Sequence, residues 1–172
     1  RYIGDWSSDV CSSDLYKLIK QKNHKVEFSS DFIIGFPGEM DNDFKDTMNL
    51  IKEIKFINSY SFIFSPRPGT PASKLKPVEN EIAKERLIEI QTVLENHQVN
   101  KNRSLLGKSI EVLVKNKLKN QNKYFGRNVF LNSVIFEGEE KYIGKLVDVK
   151  ITKTNRNSLF GKIDENKKMR AA

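Results

Sequence analysis

Cysteine is almost missing from this chain, with one copy, Cys11, in 172 residues. A single thiol cannot close an internal disulfide, and by itself it cannot hold a thiolate-ligated zinc or iron–sulfur cluster. Histidine is nearly as scarce: only His24 and His97 occur, too far apart in the chain to replace the missing ligands. No metal ligand set is therefore predicted in these residues. The chain also lacks any run of about 18 apolar residues, which excludes a membrane-spanning helix. Its first residues lack the basic-then-apolar layout of a secretory signal, so secretion is not indicated.

What is present is an uneven charge. The net charge is +8, yet Arg1–Leu106 carries 15 Lys+Arg against 15 Asp+Glu, while Gly107–Ala172 carries 15 against 7, a difference of 8. The whole surplus sits in the last 66 residues. A neutral region followed by a small basic one suggests a polyanionic partner for the second. The plainer alternative is a basic surface kept for solubility.

Arg1–Leu15 (RYIGDWSSDVCSSDL) differs from the rest: it holds the only Trp and the only Cys, and it shows no helix or strand period. We set it apart as a probable non-native leader. Tyr16–Asn23 resembles the tail of a helix. Val26–Phe36 (VEFSSDFIIGF), β-branched and aromatic, predicts a buried strand stopped by Pro37-Gly38. Asp41 is the expected N-cap of the next helix, with Phe44, Met48, Ile51 and Ile54 forming its apolar stripe. Tyr60–Phe64 predicts a second strand, broken by the proline-rich loop Ser65–Pro71. Strand, helix, strand in this order is the pattern of a parallel βαβ unit, whose ligands bind at the carboxyl ends of the strands. Two strands cannot make a stable parallel sheet alone.

Pro77 precedes a long predicted helix, Val78 to about Ser104, with Ala83, Leu87, Ile90, Leu94 and His97 on one face and Gly107 as its C′ residue. His97 ends that stripe and reads as a packing residue. Beyond Gly107 the period becomes two. Ile110–Val114, Gly126–Leu131, Val134–Phe136, Lys145–Thr152 and Ser158–Ile163 predict five short strands, and hence a small closed barrel without edges.

Two loops and one surface could carry chemistry. Gly35-Phe36-Pro37-Gly38-Glu39 has glycines that let backbone approach a ligand and a carboxylate that accepts hydrogen bonds; a plain strand-to-helix turn explains it equally. Asp31, inside an apolar strand, is either functional or paired with a neighbour. Arg67, between prolines, is available for phosphate or carboxylate, or else steadies its loop. In the basic region Lys115, Lys117, Lys119, Lys123 and Arg127 lie on or beside one predicted hairpin, with Tyr124 and Phe125 among them. Cations there would neutralise phosphates and an aromatic ring would stack a base, although Phe125 could instead be core. Lys145, Lys150, Lys153 and Arg156 form a second basic strip.

Together, DFIIGFPGE (Asp31–Glu39), FIFSPRPGTPA (Phe62–Ala72), Glu85-Arg86-Leu87 and GKSIEVLV (Gly107–Val114) resemble the radical-SAM tRNA methylthiotransferases of the MiaB type. The likeness runs from about Tyr16 to Ile163, and Phe125-Gly126-Arg127-Asn128 with Leu159-Phe160-Gly161 resembles the TRAM domain, a small RNA-binding β-barrel. The resemblance implies an α/β chain: residues 16–75 as the end of a radical-SAM partial (β/α) barrel, 76–106 as a connecting helix, 107–166 as an all-β TRAM barrel and 167–172 as a tail. It further implies S-adenosylmethionine and two [4Fe–4S] clusters in the full-length parent. The implied reaction is methylthiolation at C2 of an N6-dimethylallyl-type adenosine at position 37 in the anticodon arm of tRNA, in the cytoplasm. Ile33, Gly35, Glu39, Phe64 and Ser65 become cofactor-binding candidates, and Asp31 and Arg67 substrate contacts. Lys115, Lys117, Lys119, Lys123, Tyr124, Arg127, Lys145 and Lys150 become RNA-binding candidates. This chain departs from the family in having none of its six cluster cysteines, so it should be inactive alone. Arg67-Pro68 favours a tRNA-modifying member over one acting on a ribosomal protein. A stand-alone RNA-binding adaptor, or a methylthiotransferase for threonylcarbamoyl-adenosine tRNA or a ribosomal protein, remain the alternatives.

Overall fold

The computed structural model describes residues 12–119, 121–164 and 170–171, in two compact units, Arg1–Leu94 and Glu95–Ala172. In the first unit the order is α1 (Ser12–Lys22), β1 (Asp31–Ile34), α2 (Asp41–Ile54), β2 (Tyr60–Ile63), a 3-10 turn (Pro71–Lys74) and the start of α3 (Asn80–Arg103). Residues 1–11 of the proposed leader, Cys11 included, lie outside the described residues, but Ser12–Leu15 form the first turn of α1. The leader's last residues are thus helical, although their sequence shows no amphipathic period.

β1 and β2 pair in parallel, Asp31 opposite Tyr60 and Ile33 opposite Phe62, with α2 between them in sequence. The expected βαβ unit is therefore formed. Alternation puts Phe32 and Ile34 on one face, where they pack with Met48, Ile51, Ile54, Phe56, Ile90 and Leu94. Phe32 and Phe56 meet edge to face, centroids 5.3 Å apart. The strand is shorter than Val26–Phe36 because the ladder starts only at Asp31; upstream, Ser30 N–H donates to the Ser59 hydroxyl at 3.0 Å. Met40, not Asp41, is the N-cap of α2: Asp43 accepts the Met40 N–H at 2.8 Å, while Asp41 is already helical. A carboxylate at the third helical position reaching back to the cap residue satisfies one orphan donor and favours the positive helix end.

The second unit holds the end of α3 and strands β3 (Ser109–Lys117), β4 (Lys123–Asn128), β5 (Ser133–Glu137), β6 (Lys145–Thr154), β7 (Ser158–Ile163) and β8 (Arg170–Ala171). The hydrogen-bonded order β3-β4-β5-β7-β6, with β6 returning to β3, closes a five-stranded barrel, and β8 pairs with the start of β6. All barrel pairs are antiparallel except β5–β7. The five expected strands are all present, but the second runs Lys123–Asn128 rather than Gly126–Leu131: Val129–Leu131 lie in the loop that leads to β5. Val112, Val114, Tyr124, Val134, Phe136, Val147, Val149, Ile151 and Leu159 fill the interior, joined by Leu105. Closure brings backbones very close at two glycines. A Cβ on Gly126 would lie 2.5 Å from Val112 Cγ1 and 2.6 Å from the Leu113 carbonyl oxygen, and one on Gly161 would run into the Lys150 carbonyl. Gly107 is not the C′ residue of α3, which ends at Arg103; it follows a further turn at φ 74° and donates its N–H to the Ile151 carbonyl at 2.9 Å.

Candidate nucleic-acid interface

In the first unit the loop after β1 is held from within. Glu39 accepts the Gly35 N–H at 2.9 Å through one carboxylate oxygen and the Arg86 guanidinium at 2.7 Å through the other. Arg86 also donates to Asp41 at 2.5 Å, and only 7% of it is exposed. Burial works against its charge, but hydrogen bonds and attraction from Asp41 and Glu39 outweigh that and hold its pKa above the ordinary arginine value. Gly35, at φ 72°, leaves no room for a side chain: a Cβ there would sit 2.9 Å from Ala83 Cβ. Gly35 and Glu39 thus shape the loop, with Glu39 committed to protein partners on both oxygens.

The other candidates of this unit are exposed, except Phe64, which is half-buried. Ile33 (59%), Phe62 (55%) and Tyr60 (66%) share the uncovered face of the two-stranded sheet, and Phe36 lies edge to face with Phe64 at 5.0 Å. Ser65 and Arg67 are exposed on the loop that follows β2. Asp31 is exposed at the first position of β1, so its carboxylate needs no buried partner, contrary to the expectation drawn from its apolar neighbours. Among the described residues, no cluster of three or more His, Cys, Asp or Glu is placed to hold a metal ion, and no helix is long and apolar enough to cross a membrane.

In the barrel the structure separates residues that adjoin in sequence. Tyr124 is 3% exposed with its ring in the core, so it does not stack a base; the strand's alternation turns Phe125 outward instead. Lys123, Phe125 and Arg127 share the outer face of β4. The Arg127 guanidinium lies 5.5 Å from the Phe125 ring centroid and donates to the Leu131 carbonyl. Lys115 falls at a bulge in β3, and Lys117 and Lys119 line an open hollow at the β3–β4 turn with Leu118, Gln121 and Asn122. Lys145 and Lys150 do not form one strip. Lys145 has the same parity as Val147 and Val149, which point inward, whereas Lys150 points outward and is exposed.

An amide network absent from the sequence reading braces the adjoining loops. Asn102, 1% exposed near the end of α3, donates to the carbonyls of Asn155 (2.9 Å) and Arg156 (3.0 Å) and accepts from Asn132 (3.2 Å). Asn128 Oδ1 accepts the N–H groups of Phe130 (3.0 Å) and Asn132 (2.9 Å). The β4–β5 loop thus presents Val129 and Leu131 to solvent on a fixed frame, with Lys101 set 4.6 Å from the Phe130 ring. Asparagine in a polar stretch reads as loop. Only the fold shows that these asparagines are buried together.

Residues 103–163, which include the small, closed, basic barrel, match the TRAM domain. The chain carries that domain. Over 158 residues it is 54% identical to the tRNA-2-methylthio-N(6)-dimethylallyladenosine synthase of Pelagibacter ubique (strain HTCC1062), covering 92% of this chain and 35% of that protein. The synthase of the same name from Vibrio vulnificus (strain YJ016) is 45% identical over 159 residues, 89% of this chain and 34% of its own length. That of Wolbachia pipientis wMel is 43% identical over 151 residues, 86% and 34%. The chain spans about a third of the length of the curated relatives it matches. These relatives are MiaB-type tRNA methylthiotransferases, and the chain matches only their C-terminal part, in keeping with the likeness of its loop motifs.

Proposed function

We propose that this chain is the RNA-holding portion of a radical-SAM enzyme that methylthiolates C2 of an N6-dimethylallyl-type adenosine in the anticodon arm of cytoplasmic tRNA. The observation that carries this reading is the coincidence of a TRAM barrel with the whole charge surplus, 15 basic against 7 acidic residues from Gly107 onward. Cations on a folded surface displace the counterions condensed on a phosphate backbone, which gives affinity without reading sequence. The barrel is thus suited to hold tRNA while the modified base is presented elsewhere.

The first unit fits one wall of a cofactor and substrate pocket. The exposed side chains of Ile33, Phe36 and Phe62, with Phe64 beside Phe36, offer apolar surface at the carboxyl ends of parallel strands. Ser65 and Arg67 supply polar groups from the next loop, and Asp31 a carboxylate on the same sheet face. Gly35 and Glu39 serve by positioning, with Arg86 behind them. In the full-length protein, S-adenosylmethionine and two [4Fe–4S] clusters supply the radical chemistry. The residues of this chain do not fit a cluster, having one cysteine and two histidines.

The test is titration of fluorescent tRNA with the purified chain over a range of salt. Binding that weakens steeply as salt rises is expected; absent or salt-indifferent binding would overturn the proposal. After attempted cluster reconstitution the same chain should cleave no S-adenosylmethionine, and cleavage would overturn its assignment as the non-catalytic part.

A further inference from the structure

We infer that the outer face of β4, β5 and β7, rather than the lysine-rich β3–β4 turn, is where the barrel takes unpaired RNA bases, with Phe125 and Phe160 as stacking rings. The inference rests on the RNA-binding reading above and adds which face and which chemistry.

Register places nine residues in a grid. Phe125 is opposite Ile135, and Ile135 is opposite Phe160. On one side of this apolar row lie Lys123, Glu137 and Lys162; on the other lie Arg127, Ser133 and Ser158. All nine share the face away from the core, since the alternating positions Tyr124, Phe136, Val134 and Leu159 are buried. The central row continues onto β6, where Lys153 is opposite Phe160. Lys150, outward on β6, is opposite Lys162. An apolar row with two rings is thus bordered by Lys123, Lys162, Lys153 and Arg127.

Apolar side chains at three adjacent outward positions in a barrel with a charge surplus call for a partner that uses both features. A base offers a flat π-face to a ring while its phosphate meets a cation a few ångströms away. Phe125 and Phe160 stand two strand spacings apart, roughly 10 Å, enough for separate bases of an unstacked strand. Arg127 steadies the first ring: its guanidinium lies over Phe125 and is tethered to the Leu131 carbonyl. Bases stack on guanidinium planes as well as on rings, so the pair acts as one element. Duplex RNA keeps its bases stacked on each other and has nothing to offer the rings. The occupant is therefore single-stranded or looped RNA.

The experiment measures binding of the whole chain to a labelled single-stranded RNA and to a duplex of equal length. Phe160→Ala and Phe125→Ala should each weaken single-strand binding about tenfold. Salt dependence and duplex binding should stay unchanged, and Phe160→Tyr should restore affinity. If the unaltered chain binds no RNA, the RNA-binding reading itself fails. If it binds and both alanine variants bind equally well, only the stacking face is overturned. Ultraviolet crosslinking of the unaltered chain to 4-thiouridine RNA needs no variant to fold. Adducts in Lys123–Arg127 and Ser158–Lys162 support the proposal, and adducts confined to the β3–β4 turn overturn it.

Discussion

Arg86 of α3 and Glu39 of the loop after β1 meet at 2.7 Å with both side chains largely buried, and the second Glu39 oxygen takes the Gly35 N–H at 2.9 Å. One ion pair thereby fixes a loop 47 residues away in sequence. Removing Arg86 strands the buried Glu39 charge, at a cost of about 3–5 kcal/mol. Arg86→Ala should therefore destabilise the first unit by that order, and Glu39→Ala by less, because Arg86 keeps Asp41 as a partner. Asp41→Ala, whose side chain is 98% exposed, should cost about 1 kcal/mol or less. Hydrogen exchange at the Gly35 amide checks this, with faster exchange expected in the first two variants alone.

The glycines separate into two kinds. Gly126→Ala places a methyl group against Val112 and the Leu113 carbonyl, where backbone has to move; a loss of about 1–3 kcal/mol in barrel stability is expected. Gly38→Ala meets nothing within 4 Å and bears only the left-handed penalty at φ 89°, about 1–2 kcal/mol. Urea titration followed by circular dichroism distinguishes them, since overpacking shifts the barrel transition and a turn substitution in the first unit does not.

Asn102 is the hub of the amide network. Asn102→Ala leaves the Asn155 and Arg156 carbonyls and the Asn132 amide without their partner. Of these only the Asn132 amide is fully buried, Asn155 and Arg156 being exposed residues; at about 1–3 kcal/mol for an unsatisfied buried group, the barrel should lose about that much. Gln98→Ala removes a donor at the margin of the network and should cost about 1 kcal/mol. Thermal melting of the two variants provides the comparison.

Tyr124 and Arg127, three positions apart on β4, should behave oppositely. Tyr124→Ala empties a large core site and should cost about 3–5 kcal/mol, whereas Tyr124→Phe should leave RNA affinity unchanged. Arg127→Ala should lower the slope of log affinity against log salt by about 1. Lys145→Ala, at the core-facing parity of β6, should change that slope less than Lys150→Ala. Binding titrations at several salt concentrations decide both points.

The residues alone suffice for the βαβ unit, the long helix and the five short strands, because each follows from local period and punctuation. They also suffice for the charge division and for the motif likeness. Strand ends are less legible, since a ladder stops where its partner stops: Asp31–Ile34 lies in the ladder, while Val26–Ser30 makes only isolated bonds, Phe28 and Ser30 accepting from the Ile57 and Tyr60 N–H groups. Which hydroxyls, rings and cations share a surface is a tertiary matter. The parallel β5–β7 pairing puts Phe160 and Lys162 on one face with Phe125 and Lys123, one strand between them, across more than thirty positions, and no spacing along the chain encodes that. Tyr124 and Phe125 are neighbours with the same kind of ring, yet pleating sends one into the core and the other outward. Closure of the barrel chose between them, since only one alternation buries Tyr124 with Val112, Val114 and Phe136.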